Sequence, residues 1–592
     1  MLRVFRAELT VLAAALTMAL ASSGCTSFSQ YVRNGFKVGP NYCPPPAPVA
    51  EHWIDAADVR QESEDMSQWW RVFNDPVLDR LIDCAYRQNL SLREAGFRIL
   101  QARAQRGIAV GRLFPQTQDA FGKYVRQASG LREASGGAFS DQFSNQWSLG
   151  FNLAWELDFW GRFRRAVIAA DATLDASVND YDFVLVTLLA DVAQNYVQIC
   201  QDEERIRYLI ENVEQQDQIV KYWEARTVVS FGTDPRLNRD QTRSLQFTTE
   251  AGIPELEIEL RQANDRLCVL LGIPTVDLRE ALDFWKAEEQ RKREELRRVK
   301  QELQRAEQEM EQVRKMSDQS KVEQARNELK QRIQDLRNSI DTVFIPRVPR
   351  GDQVAVGIPA QLLWRRPDVR RAERQAAAQA EQIGIAEADF YPAISINGDN
   401  LGYQAPKFPQ MFSSHALNGS IGPSLKWNIL NYGRILNNVR LQDATFQALV
   451  TAYQNTVLQA NAEVEDGLVK FLKEQSREKL LKRGVDDLQD AVDYMFEQYR
   501  VSKIDVNRYI VIAQNLVQQQ DSLATSRGQI TQGLVQVYRA LGGGWQMCLG
   551  LLPQETMPPD AAAVPPGPLE LPEPVPAPPA VPGQPGDGRI NE

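Results

Sequence analysis

Catalysis needs nucleophiles, acids, bases or metal ligands in clusters, and this chain of 592 residues has few to offer. His52 and His415 are its only imidazoles. No glycine-rich loop ends in the Gly-Lys pair that cradles phosphate, and no Cys and His fall at zinc-ligand spacing. Carboxylates are plentiful, but they lie on amphipathic helical stretches, where they ordinarily form a solvated face. A net charge of −10 and a pI near 5.2 argue against nucleic acid as a partner. Neither an enzymatic activity nor a bound cofactor or metal is expected. Six cysteines remain. Cys43, Cys84, Cys200, Cys268 and Cys548 are odd in number and lack CxxC spacing, so simple burial is expected of them.

The sixth, Cys25, has a different context. Arg3 and Arg6 precede an apolar run from Leu9 to Ala21, long enough for a signal peptide and too short to cross a membrane. The run leads into Ala-Ser-Ser-Gly-Cys, so Gly24-Cys25 resembles a lipobox, with Ser22 where Leu is usual. Residues 1–24 then read as a lipoprotein signal peptide, and Cys25 as a first residue carrying covalent lipid. Ordinary cleavage before an unmodified cysteine is the alternative. Thr26 rather than Asp follows, which favours sorting to the outer membrane.

The elements behind these residues come in duplicate. SLGFNLAWELDFWGR (Ser148 to Arg162) and SIGPSLKWNILNYGR (Ser420 to Arg434) keep Ser, Gly, Leu, Trp, Gly and Arg in one register, 272 residues apart. Upstream of each lies a second matched pair, GIAVGRLFP (Gly107 to Pro115) and GIAEADFYP (Gly384 to Pro392). Two tandem units build a pseudo-symmetric wall more readily than an enzyme cleft. Before each Gly-Arg pair the residues alternate: Asn145, Trp147, Leu149, Phe151, Leu153, Trp155 and Leu157 are mostly apolar, and those between them polar or small. Period two predicts a strand with one apolar and one polar face. Trp147 and Trp155 lie roughly 27 Å apart along such a strand, near the separation of two aromatic girdles on a transmembrane barrel, and Trp427 repeats Trp155. Partner strands are expected at Thr117 to Arg126 and Ala393 to Leu401, giving hairpins at about 116–157 and 393–430. After each Gly-Arg pair a long helix is predicted, over 162–226 and 434–500. Each is on the order of 100 Å. A turn follows, VVSFGTDPRL (228–237) or RVSKIDVNR (500–508), and then a return helix, 236–271 or 506–541. A further helix over 367–390 opens the second unit. The units run 91–274 and 354–545, after a linker and equatorial segment at 25–90.

No other stretch approaches 18 apolar residues, so only strands in a closed barrel could cross a membrane. Four strands cannot close one, and even eight leave room only for side chains. An open pore therefore requires at least three chains.

The segments KVGPNYCPP (Lys37 to Pro45), QWWRVFNDPVLDRLI (Gln68 to Ile82), WELDFWGR (Trp155 to Arg162), GIPAQLLWRRPDVRRAE (Gly357 to Glu373) and VYRALGGGW (Val537 to Trp545) resemble the TolC-like outer-membrane efflux proteins of the NodT and OprM lipoprotein type. The resemblance covers nearly the whole mature chain. It implies a mainly α fold with a small membrane β part: a homotrimer with a twelve-stranded barrel in outer-membrane lipid and a tapering periplasmic helical tunnel. Its implied partners are a periplasmic adaptor and an inner-membrane pump of the resistance-nodulation-division class. The hairpin loops 127–146 and 404–419 would face outward. The turns near Gly232 and Ser502 would be the periplasmic tips, where such tunnels close through charged and hydrogen-bonded residues. Asp234, Arg239, Tyr499, Lys503, Asp505 and Arg508 are the candidates, with Asp505 the choice for a cation-selecting ring. Ser502 stands where Gly is usual and the turn is one residue longer. Solvated decoration of the tip is the alternative for each charge.

One segment departs from that family. Over 284–343, Leu296, Val299, Leu303, Ala306, Met310 and Val313 step by three and four, a heptad seam, and a less regular second run follows. An inserted coiled-coil hairpin is expected, either a solvated ornament or a contact for adaptor or peptidoglycan. The Pro-rich composition of residues 553–592 favours extended disorder and a tether role. An exit duct for secreted protein and a periplasmic coiled-coil scaffold remain as rival functions.

Overall fold

In the computed structural model the described residues are 28–55, 65–128, 143–227, 235–314, 359–500 and 506–547, with a few between 328 and 336. They belong to the first of two compact bodies, Met1–Met547; the other body, Cys548–Glu592, lies outside the described residues. Cys25, Asp234, Lys503, Asp505, the Pro-rich tail and most of the second insert arm also lie outside them.

Helices dominate. Helix α1 (Pro76–Gln88) starts where Asp75 accepts from the backbone N–H groups of Val77 and Leu78, with Pro76 at the first position. Helix α2 (Leu90–Gly111) is capped by Asn89. Strands β1 (Thr117–Ala128) and β2 (Phe143–Leu157) form a hairpin that leads into α3 (Arg162–Thr227), of 66 residues, and the returning α4 (Pro235–Leu270). After the insert helix α5 (Asp283–Arg314), the second unit repeats this order. It consists of α6 (Pro367–Ala388), β3 (Ala393–Ala405), β4 (Leu417–Lys426), α7 (Arg434–Arg500), of 67 residues, and α8 (Val506–Ala540).

The duplication reaches into the helix caps. Asn89 donates to the carbonyl of Leu270 at 2.8 Å, and Arg366, in the same place of the second unit, donates to Ala540 at 2.9 Å. Gly272 and Gly542 then turn in the left-handed region, at φ 70° and 71°. A Cβ at Gly272 would meet the Gln88 carbonyl oxygen at 2.5 Å, so these turns need both glycine's backbone freedom and its lack of a side chain.

The four strands form one antiparallel sheet in chain order, β1-β2-β3-β4. Its middle pair, β2 and β3, joins the two units. A bulge at Asn400, with φ 52°, is absorbed where its N–H donates to Asn152. Pairing outlasts the alternating pattern, since Gln127, Ala128 and Phe143 to Gln146 are still laddered, so the first outer loop is shorter than 127–146.

Two expectations need correction. An 18-residue window of α3 is apolar enough to cross a membrane by composition, yet most of it is buried inside the protein, which accounts for its apolarity. Cys200 and Cys268 are buried, but Cys43 is exposed and Cys84 half-buried, because the former sits on a surface strap and the latter on the outer side of α1.

Helix α5 lies along α3. Trp285 packs edge-on against Tyr196 with ring centroids 5.4 Å apart, and Lys300 pairs with Glu211 at 3.4 Å. Both contacts join residues 89 apart, so the two helices run parallel and in register over this stretch. Lys292 reaches Asp75, whose other duties are the α1 cap and a 2.8 Å bond from the Tyr196 hydroxyl. Of the seam residues, Ala306 and Met310 are buried.

Candidate functional site

Residues opposite one another in an antiparallel sheet share a face. One face carries Tyr124 and Trp147, then Phe151 with Leu401, Trp155 with Ile396 and Pro423, and Leu157 with Ile394 and Leu425. Many are exposed, Leu149, Phe151, Ile421 and Leu425 among them, so much of this apolar face has no protein cover among the described residues. The opposite face carries Gln146, Ser148, Asn152 and Glu156 with Ser395, Asn397, Ser420 and Ser424. Its polar groups bond laterally: Asn397 donates to the Ser424 hydroxyl at 2.8 Å, and Asn418 to Gln404. Such a sheet separates an apolar medium from water. The outer edges of β1 and β4 have no strand partner among the described residues.

The three candidate girdle tryptophans sit on the apolar face, in two tiers. Trp147 lies against Tyr124 and Phe408, with centroids 4.5 and 5.2 Å away, beside a small core of Ala405, Met411 and Ala416. Trp155 donates its indole N–H to the carbonyl of Leu113 at 3.2 Å, and Trp427 does the same to Phe390 at 2.9 Å. Leu113 and Phe390 are matched positions of the duplicated GRLFP and ADFYP segments. These two indoles therefore tie each hairpin to the end of the helix before it.

Where the sheet meets the helices, Arg165 is fully buried. Its guanidinium donates to the carbonyls of Val38 (2.6 Å) and Gly39 (2.8 Å) and pairs with Glu381 of α6 at 2.5 Å. Gly384 makes room for it, since a Cβ there would lie 2.3 Å from its Nε. This locks an N-terminal strap between the two units. The strap begins at the sheet, where the Tyr31 hydroxyl donates to the Phe159 carbonyl at 2.7 Å. It then follows α6 and α7 through Tyr42 to Glu373 (3.2 Å), Gln454 to the Pro46 carbonyl (3.2 Å) and the Ile54 N–H to Glu465 (2.9 Å). Alongside, Trp160 stacks on Tyr391 at 4.5 Å and donates to the Pro392 carbonyl at 2.8 Å.

Further along the long helices, α3 and α8 are joined by polar pairs. Arg205 meets Asp521 at 2.7 Å, Arg527 meets Glu204 at 2.8 Å, and Asn212 donates to Gln520 at 2.6 Å. Towards the tips an apolar cluster takes over, with Ile219, Trp223 and Leu245 from one hairpin and Val485, Val492, Met495, Val506 and Tyr509 from the other. Of the candidate tip residues, Arg239 pairs with its neighbour Asp240 at 2.7 Å and Arg508 is exposed. Tyr499 lies in the last turn of α7. Nothing in the sequence singles out Arg165 or Glu381, whereas Trp160 lies within the duplicated segment. The tip cluster did leave a signal, in the helical spacing of Val485, Val492 and Met495 and of Val506, Tyr509 and Ala513. Among the described residues no group of His, Cys, Asp and Glu is placed to hold a metal ion.

The family model for outer membrane efflux proteins matches residues 81–273 and 358–543, leaving the insert between its two blocks. Among curated proteins, the pyoverdine export outer membrane protein OpmQ of Pseudomonas putida is 27% identical over 506 residues, covering 84% of this chain and 93% of its own. Nodulation protein T of Rhizobium leguminosarum bv. viciae is 26% identical over 510 residues, 86% of this chain and 90% of its own. The solved structure of the outer-membrane channel OprN superimposes with a TM-score of 0.69 at 26% identity, covering 86% of this chain and 99% of that one.

Proposed function

The chain belongs to the outer membrane efflux protein family, and from that premise we propose that it is the passive outer-membrane duct of an efflux system, delivering small molecules from an inner-membrane pump and a periplasmic adaptor to the outside. The observation that carries this reading is the sheet, apolar on one face, polar on the other and open at both edges. In a bilayer an open edge strands backbone N–H and C=O groups at several kcal/mol each, so edges must close on one another. Three copies joined β4 to β1 supply twelve strands, polar face inward. The cargo class follows the relatives, one named for pyoverdine export. A water-filled duct exerts little choice of its own, and selection falls to the pump.

Lipid on Cys25 suits the same geometry. Only two residues separate it from Phe28, and three residue steps reach about 10 Å at most. The Tyr31–Phe159 bond holds that segment beside the end of β2, where a membrane surface would lie. At the tips, Asp505 and its charged neighbours would close the duct and favour cations.

The test is the mature chain in detergent, its mass measured and its single-channel conductance recorded in a planar bilayer. A trimer with small, cation-selective conductance is expected. A monomer without conductance overturns the reading.

A further inference from the structure

The joint between the two units is a template for the joint between two copies. Strand β2 pairs with β3 inside the chain, whereas the outer edge of β4, which repeats β2, has no partner among the described residues, and neither has the outer edge of β1, which repeats β3. The equivalences can be read from the pairings. Thr117 opposes Ala154, and Ala393 opposes Lys426, which is Ala154 displaced by 272, so Thr117 and Ala393 hold the same place in the two hairpins. Inside the chain Leu153 opposes Gly398 and Trp155 opposes Ile396. Transposed, Leu425 opposes Gly122 of the partner subunit, and Trp427 opposes Ala120 of the partner subunit, with the apolar residues of both copies on one face.

Just below, Trp160 and Tyr391 form the stacked pair that seals the internal joint. Their counterparts are Tyr432, displaced by 272, and Phe114, displaced by 277 like the rest of its segment. Neither is covered: Tyr432 is 95% exposed and Phe114 is 62% exposed. Tyr432 moreover holds a left-handed backbone, φ 50°, which strains a bulky residue and persists where something else benefits. We infer that Tyr432 is a docking key for a second copy of this chain: its ring stacks on Phe114 of the partner subunit and its hydroxyl donates to the carbonyl of Pro115 of the partner subunit, as the Trp160 indole donates to Pro392. The joint between copies lacks the internal lock, because Asn437 and Ala104 stand where Arg165 and Glu381 stand. The key and the strand ladder therefore carry that joint at this level.

This rests on the trimer reading above, and the experiment separates the two. Leu425→Cys/Gly122→Cys is made in a Cys43→Ser background, with Leu425→Cys/Ala120→Cys as the pair two residues out of register; directly opposed positions lie within disulfide reach. Mild oxidation of the detergent-purified, full-length mature chain should give covalent dimers and trimers for the first pair only. In a second variant a photoreactive phenylalanine analogue replaces Tyr432, and irradiation in vesicles of outer-membrane lipid should attach it to the peptide containing Phe114 and Pro115. A trimer by mass that cross-links out of register, or whose residue 432 labels lipid, overturns the docking and leaves the trimer standing. A monomer overturns both.

Discussion

Replacing Arg165 by Met keeps most of its volume and removes its charge, and the structure sets the size of the effect. Glu381, itself buried, loses its ion-pair partner at 2.5 Å, and breaking a buried ion pair from one side costs about 3–5 kcal/mol. The Val38 carbonyl loses its guanidinium donor, at about 1 kcal/mol, while the Gly39 carbonyl loses one donor and keeps the Asn34 amide at 3.1 Å. Allowing for protonation of Glu381 and entry of water, strap attachment should weaken by about 4 kcal/mol, or nearly a thousandfold in the population of the detached strap. Trypsin reads that population. The bond after Lys37 is held against the protein, with the Lys37 stem packed on Gly161, and cleavage in the native protein should accelerate in proportion to opening. Gly384→Ala should act in the same direction with every charge retained, because its new methyl group displaces the guanidinium. Arg165→Met/Glu381→Gln should recover much of the loss, since no charge is then stranded. Acceleration of less than tenfold in Arg165→Met would refute the lock.

Trp155→Phe and Trp427→Phe each remove one indole hydrogen bond and should cost similar amounts, about 1 kcal/mol apiece, read as matched drops in the temperature at which the folded form is lost. Burial pushes the Asp182 carboxyl up to about 6, partly offset by Arg370. The folded state thus holds the proton more tightly than the unfolded one, so stability falls as pH rises from about 4 to 6, by about 3 kcal/mol in all. Asp182→Asn should be more heat-stable than the parent at pH 8, with the gap closing by pH 4. Asp505→Ala should raise single-channel conductance, and unchanged conductance removes Asp505 from the gate. Trp285→Ala should speed amide hydrogen exchange along α5 while leaving conductance unchanged.

The fold class was legible because its signals are local and occur twice. Alternation before each Gly-Arg pair marks the two-faced strands, and proline-free stretches rich in Ala, Gln and Leu mark the long helices. Matched glycines and tryptophans give the duplication. The Arg165 lock was not legible. It joins Arg165 to a backbone carbonyl 127 positions away, which carries no side-chain pattern, and to a carboxylate 216 positions away, and an arginine early in a helix ordinarily reads as a solvated charge. Trp155 and Trp427 were visible as repeated aromatics on an apolar face, but their bonds to Leu113 and Phe390 depend on how the chain folds back over the preceding helix end. Cys43 misled for a related reason, since burial of a small apolar thiol is a statistical tendency and a strap that runs over the surface does not obey it.

The parallel register of α5 on α3 makes the duplicated halves mechanically unequal. Bending α3 and α4 inward or outward must either carry α5 along or shear the Trp285 and Lys300 contacts. The pair α7 and α8 has no counterpart of α5 among the described residues and can flex alone. Two staves cut from one pattern thus differ in stiffness, and strain on the long helices will be taken up first by the thinner of the two.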